Sequence, residues 1–277
     1  MRDLAGRTAF VTGAASGIGF ALARAFAAEG MNVMLADIEA PALAAALAQL
    51  EDFAPRVASV VCDVTDFESV SRAATATAER FGAVHILCNN AGVGGGSGIE
   101  AISPATWRWV VDVNLMGVAH GIAAFLPAMR ARGEGGHIVN TASMAGLQAN
   151  LGFSPYVATK YAVVGMSEGL AKELAPEGIG VSVLCPGFVQ TQIARSARNR
   201  PDRYGPAIPP APGSAAAKLA AHLAENASAG LDPAEVAARV LDAIRANELY
   251  VFTHPGMRDE VDERFAAIDA AFRRSKP

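Results

Sequence analysis

Thr8-Ala-Phe-Val-Thr12-Gly13-Ala-Ala-Ser16-Gly17-Ile18-Gly19 decides the fold of this chain. Thr8 to Thr12 is a short apolar run of strand character, and Phe20 to Glu29 continues as an Ala-rich segment with apolar positions at helical spacing. The glycines between them follow the pattern G-x-x-x-G-x-G. Strand, glycine turn and helix in this order present a helix N-terminus and free amide N–H groups to a pyrophosphate. Gly13 allows the tight turn, Gly17 lets a bound group approach the backbone, and Gly19 lets helix and sheet pack closely.

The same rhythm repeats downstream. Strand-like runs lie at Asn32–Ala36, Ala58–Cys62, Ile86–Asn89, His137–Thr141, Val181–Leu184 and Leu249–Phe252. Ala-rich helical segments follow the early ones. Alternating strands and helices with apolar strands predict a parallel sheet covered on both faces. Right-handed crossovers make it a doubly wound α/β (Rossmann) fold, a single domain over residues 1–277. One segment departs from the rhythm. Residues 192–230 carry Pro201, Pro206, Pro209, Pro210 and Pro212, with Gly205 and Gly213 among them, so continuous structure is not expected before about Ser214. An insertion of this length in a compact domain predicts a substrate lid.

Composition narrows the class. The chain has 277 residues, is 52% hydrophobic and 18% charged, and can fill a large core. Its net charge of −4 and the lack of a basic cluster beyond Arg273-Arg274-Ser275-Lys276 argue against a nucleic-acid partner. No run of about 18 uninterrupted apolar residues predicts a membrane span. The N-terminus lacks a signal-peptide apolar region. Cys62, Cys88 and Cys185 are far apart and read as buried reduced thiols, which suits a cytoplasmic location. The five histidines form no metal-ligand pattern, and no metal site is expected.

Chemistry is concentrated in Ser154-Pro-Tyr156-Val-Ala-Thr-Lys160, with Ser143 thirteen residues before Tyr156. On a helix Tyr156 and Lys160 share one face. An ammonium beside a phenol is expected to lower the phenol pKa from about 10 towards neutrality, which suits proton exchange with an alcohol or carbonyl oxygen. At the end of the second strand, Asp37 is placed to accept hydrogen bonds from an adenosine ribose and to repel a 2′-phosphate. No Arg or Lys follows at 38–40, and Ser16 stands before Gly17, so NAD(H) is expected over NADP(H).

Taken together, Thr12–Gly19, Asn89-Asn90-Ala91-Gly92, Asn114 in Val113-Asn-Leu, Ser143 with Tyr156-x-x-x-Lys160, and Pro186-Gly187-Phe-Val189-Gln-Thr191 resemble the short-chain dehydrogenase/reductase family over nearly the whole chain. The resemblance implies seven strands in the order 3-2-1-4-5-6-7. It implies catalytic roles for Asn114, Ser143, Tyr156 and Lys160, with Asn114 holding a water that links Lys160 to solvent. It further implies cofactor contacts from Gly13, Ser16, Gly17, Ile18, Gly19, Asp37, Asp63 (to adenine), Val64, Asn90, Ala91, Gly92, Tyr156, Lys160, Pro186, Gly187, Val189 and Thr191.

The expected activity is NAD-dependent interconversion of a secondary alcohol and a ketone. An apolar pocket is expected from Met144, Leu147, Phe153 and Phe188. Two alternatives stand beside this activity: an NADPH-dependent 3-oxoacyl thioester reductase, and a non-catalytic cofactor-sensing relative. The C-terminal half loosely resembles bacterial dehydrogenases of benzylic, lignin-type aryl alcohols. The family also implies a homotetramer, for which Trp107, Trp109, Val110, Val113 and Phe125 on one helix and Tyr250, Phe252, Phe265 and Ile268 near the C-terminus offer apolar residues.

Overall fold

A computed structural model describes residues 1–95, 103–149 and 152–275; Lys276 of the basic tail lies outside them. Seven strands form one parallel sheet: β1 (Thr8–Thr12), β2 (Asn32–Asp37), β3 (Val57–Val61), β4 (Ile86–Asn89), β5 (Gly136–Thr141), β6 (Ile179–Cys185) and β7 (Tyr250–Phe252). Their spatial order is β3-β2-β1-β4-β5-β6-β7, as the resemblance implied. β6 is longer at both ends than its apolar core suggested, because pairing with β5 starts at Gly136↔Ile179 and pairing with β7 runs to Cys185↔Phe252.

Every residue of β1 is buried, and successive side chains enter opposite cores. Ala9 and Val11 meet Leu22 and Phe26 of helix α1 (Gly17–Ala28), with Val240 and Ile244 of α8 (Pro233–Ala246) in the same cluster. Helix α2 (Ala40–Ala48) extends this layer through Leu43 and Ala46. On the other face Phe10 stacks at 4.4 Å on Phe125 of α5 (Gly117–Arg132). Helix α3 (Phe67–Phe81) and α4 (Pro104–Val111) complete that side through Val70, Ala73, Trp109 and Val110.

Helices α4 and α5 are joined without a break by a five-residue π-helical turn, Asp112–Met116. The combined helix Pro104–Arg132 is long and apolar enough to cross a membrane, but its apolar residues face the sheet. This corrects one expectation. Trp109, Val110, Val113 and Phe125, read as surface for a subunit contact, are at most 9% exposed within the single chain. At the C-terminus the expectation holds: Tyr250 and Phe252 point outward from β7, and helix α9 (Arg258–Arg274) exposes Phe265 and Ile268.

Two further helices frame the site. Helix α6 (Ser154–Leu174) carries Tyr156 and Lys160, and α7 (Ala215–Ser228) ends the 192–230 insertion. The insertion has no continuous element before Ser214, as its composition suggested. It holds short 3-10 turns at Ile193–Asn199 and Asp202–Tyr204, anchored by side-chain bonds to the sheet side of the molecule.

Candidate active site

The C-terminal ends of β1 through β6 open onto one groove of about 700 Å³. It crosses the point between β1 and β4 where the strand order reverses, the usual ligand position in such sheets. Its floor begins at the glycine turn. Gly13 has φ +65°, and a Cβ there would lie 2.9 Å from the Ala91 Cα. A Cβ on Gly19 would collide with the Gly13 carbonyl oxygen, so helix α1 can sit this close to the turn only without a side chain. Ser16 begins the helix but its hydroxyl caps no amide, leaving the first-turn N–H groups directed at the groove that Ser16, Gly17 and Ile18 line. That donor set fits a pyrophosphate.

Thr12 ties the neighbouring strand ends together. Its hydroxyl accepts from the Asn90 and Ala91 amides at 2.9 and 3.0 Å, while the Asn90 amide donates to the Thr12 carbonyl at 3.0 Å. Asn90-Ala91-Gly92 is thereby fixed along the groove wall. Asp37 accepts from the Ala15 and Glu39 amides, both at 3.0 Å, so its carboxylate is held at the groove edge. On the far side, Gly187 donates to Thr253 and His254, which fixes the Pro186–Thr191 loop, and Val189 bridges Leu231.

The reactive groups converge at the inner end. Ser143 is 8% exposed and lies beside the Tyr156 phenol; its hydroxyl accepts from the Ala145 amide at 3.1 Å and donates to the Pro186 carbonyl at 3.3 Å. Lys160 is 2% exposed. Its ammonium donates to the Thr141 carbonyl at 2.7 Å and lies 5.4 Å from the Tyr156 ring centroid. Helical spacing therefore does bring phenol and ammonium together on one face.

The electrostatics differ from the expectation. Burial pushes the Tyr156 phenol up from its ordinary value, and the neighbouring Ser143 hydroxyl only partly offsets it. The same burial brings Lys160 down to about 8. The sequence shows the neighbours of the phenol but not its desolvation, which is the largest influence on it here.

Asn114 holds the groove wall beside Lys160 through its side chain. Its amide oxygen accepts from the Val93 N–H at 2.8 Å, and its nitrogen donates to the Val93 carbonyl at 2.9 Å and to Thr159 at 3.4 Å. The side chain thus pins Val93, next to Gly92. Gly92 lies between Asn114 and Lys160: a Cβ added there would sit 3.4 Å from Asn114 Oδ1 and 3.7 Å from Lys160 Nζ.

Asp63 stands on the groove with Val64, but its carboxylate is already engaged. It accepts from Thr65 through backbone and hydroxyl and from Arg203 at 2.9 Å. Burial would raise this carboxyl; the Thr65 and Arg203 hydrogen bonds hold it below its ordinary value.

Sequence reading did not find Arg203, because its partner lies 140 residues away. Arg203 is one of several clasps on the insertion. Tyr204 donates to Asp112 at 2.8 Å, and Arg198 forms two hydrogen bonds to Glu39. The first half of the insertion is therefore tied to the Asp37–Asp63 end of the groove. Leu219, His222, Leu223 and Asn226 of α7 line the groove. Their i, i+3, i+4, i+7 spacing was the available signal.

Known proteins agree with this geometry. The short chain dehydrogenase family model matches residues 7–202. C alpha-dehydrogenase of Sphingobium sp. (strain NBRC 103272 / SYK-6) is 35% identical over 97% of this chain and 87% of its own length. Galactitol 2-dehydrogenase (L-tagatose-forming) of Cereibacter sphaeroides is 43% identical over 73% of the chain and 78% of its own. The crystal structure of a short chain dehydrogenase/reductase from Burkholderia phymatum in complex with NAD superposes with a TM-score of 0.93, at 38% identity, covering 100% of this chain and 99% of that one. Sheet order, glycine turn and the Ser–Tyr–Lys cluster thus have the same explanation: the chain belongs to the short-chain dehydrogenase/reductase family of oxidoreductases.

Proposed function

We propose that this protein uses NAD(H) to interconvert a secondary alcohol and a ketone, with a hydrophobic, aryl-bearing substrate. The observation that carries the reading is the pair of neighbouring hydroxyls, Ser143 and Tyr156, beside the buried Lys160 in a groove that also holds the glycine turn. Two aligned donors are what a reacting alcohol or carbonyl oxygen requires. Met144, Phe153, Phe188, Leu219 and Leu223 give the groove its apolar character.

NAD, when bound, supplies the hydride acceptor or donor at its nicotinamide C4. In reduction, Tyr156 gives its hydroxyl proton to the carbonyl oxygen as Ser143 donates a hydrogen bond to the same oxygen. In oxidation, Tyr156 takes the alcohol proton and must first have lost its own. Lys160 sets the charge beside that oxygen and, from its position next to Gly92, is within reach of a nicotinamide ribose. Asn114 acts as a positioning residue by fixing Val93. The Pro186–Thr191 loop orients the carboxamide, and Asp37 favours NAD by repelling a 2′-phosphate.

Exposed Tyr250, Phe252, Phe265 and Ile268 support a homotetramer, and the three buried free thiols suit the cytoplasm. Assay of secondary aryl alcohols with NAD and NADP, alongside a 3-oxoacyl thioester with NADPH, tests the reading. Turnover of the aryl alcohols with NAD is expected. Turnover confined to the thioester with NADPH would overturn it.

A further inference from the structure

An arginine does reach the ribose edge of the groove, from far along the chain. Arg198, in the first turn of the insertion, lines the groove together with Asp37, Ile38 and Glu39. Its guanidinium forks onto the Glu39 carboxylate, Nε to Oε2 at 3.1 Å and Nη2 to Oε1 at 2.7 Å, and the neighbouring Asn199 donates to the same carboxylate at 2.7 Å. The Glu39 backbone amide in turn donates to Asp37. A carboxylate that binds ribose hydroxyls, and an arginine beside it that could bind a 2′-phosphate, are the two opposing devices for coenzyme choice in this fold. Here both stand at one site.

We propose that Glu39 is a specificity-determining residue that keeps the enzyme NAD-selective by occupying Arg198, a guanidinium otherwise placed to receive a 2′-phosphate. The inference rests on reading the groove as an NAD site. Planar, bidentate geometry is what a guanidinium offers equally to a carboxylate or a phosphate, so the two compete for it. Arg198 does not depend on Glu39 for its position. Its Nη1 also donates to the Gln192 and Arg195 carbonyls at 3.3 and 3.0 Å, within its own turn. Arg198 therefore stays at the ribose edge, preorganised, when the carboxylate is removed. The ion pair is a firm one, since the Arg198 hydrogen bond and charge hold the Glu39 carboxyl below its ordinary range despite partial burial.

Dissociation constants for NADH and NADPH, read from nicotinamide fluorescence, test this in wild type, Glu39→Gln, Glu39→Ala, Arg198→Met and the Glu39→Ala/Arg198→Met double variant, with circular dichroism as the check on folding. A charge-assisted hydrogen bond to phosphate predicts that Glu39→Ala tightens NADPH binding relative to NADH by about tenfold or more. Glu39→Gln should follow in the same direction. The gain should vanish in the double variant, and Arg198→Met alone should show none. A smaller gain in Glu39→Ala, or a gain that survives loss of Arg198, overturns the proposal while leaving the NAD reading intact. Wild type that binds NADPH more tightly than NADH overturns the NAD reading itself, and this proposal with it, because Arg198 would then serve the phosphate with Glu39 in place.

Discussion

Lys160→Met should remove a pH-dependent penalty on stability that the wild-type enzyme carries in the absence of ligands. Lys160 is 2% exposed, and burial brings its pKa from 10.5 down to about 8. The unfolded chain therefore holds a proton on this lysine that the folded chain releases between those two values. Stability rises with pH wherever the unfolded state binds more protons, by about 1.4 kcal/mol per pH unit and proton. Below the folded value both states are protonated and the penalty is complete, about 3 kcal/mol for a shift of this size. It fades as pH climbs from about 8 and is absent above the unfolded value. Between about pH 7 and about pH 9.5 the wild type should thus gain about 2 kcal/mol relative to Lys160→Met. Taking the difference matters, because Cys62, raised to about 11 by burial, loses stability over the alkaline part of the range in both proteins alike. Urea unfolding of both proteins at several pH values measures it. Loss of the Lys160 bond to the Thr141 carbonyl shifts the whole variant curve by a constant and leaves its slope untouched. A difference independent of pH would refute the reasoning and mean that the ammonium is solvated in the folded protein.

Tyr156→Phe should lower kcat by about a hundredfold or more, the usual contribution of a positioned acid/base, while NADH affinity stays near wild type; a variant retaining a tenth of the activity would remove Tyr156 from that role. Because burial raises the Tyr156 pKa, the phenol is protonated at neutral pH, so alcohol oxidation should speed up with rising pH while ketone reduction should not; an oxidation rate flat across the alkaline range would contradict this. Asp37→Ala should narrow the preference for NAD over NADP by tens-fold, on the order of 2 kcal/mol, as measured by kcat/KM for both coenzymes. Light scattering at micromolar concentration should give about four times the 28.5 kDa chain mass; a single-chain mass would sink the assembly.

The fold was legible because its signals are local. Glycine spacing after Thr12 and the alternation of strand and helix depend on neighbours within a few residues, and β1, β2 and β4 begin where the apolar runs begin. The Ser143, Tyr156 and Lys160 cluster was legible for the same reason, since i and i+4 share a helix face. What escaped was long-range. Trp109, Val110 and Phe125 have an apolar pattern that serves a core or an interface equally well, and only packing against Phe10 and the sheet decides between them. Burial inverted the expected shift at Tyr156. Coenzyme choice looked settled by the absence of a basic residue at 38–40, yet Arg198 arrives there across 159 positions of sequence.

The π-helical turn at Asp112–Met116 has a consequence for how this helix can vary. Gly117 donates to the carbonyl of Asp112 five residues back, so the turn holds one residue more than its α-helical neighbours. Each added residue advances helical phase by about 100°. Helix α5 therefore stands out of phase with α4 by that angle, and its sheet-facing row of Val118, Phe125 and Met129 is set by the extra residue as much as by its own spacing. Deleting a single residue anywhere in this turn would restore regular α-helix yet rotate one half against the other. Either the amide of Asn114 would swing away from Val93 or the lower helix would turn its apolar row off the sheet. Substitutions in this stretch can be absorbed, but its length is fixed, and the wall of the groove takes its shape from that count.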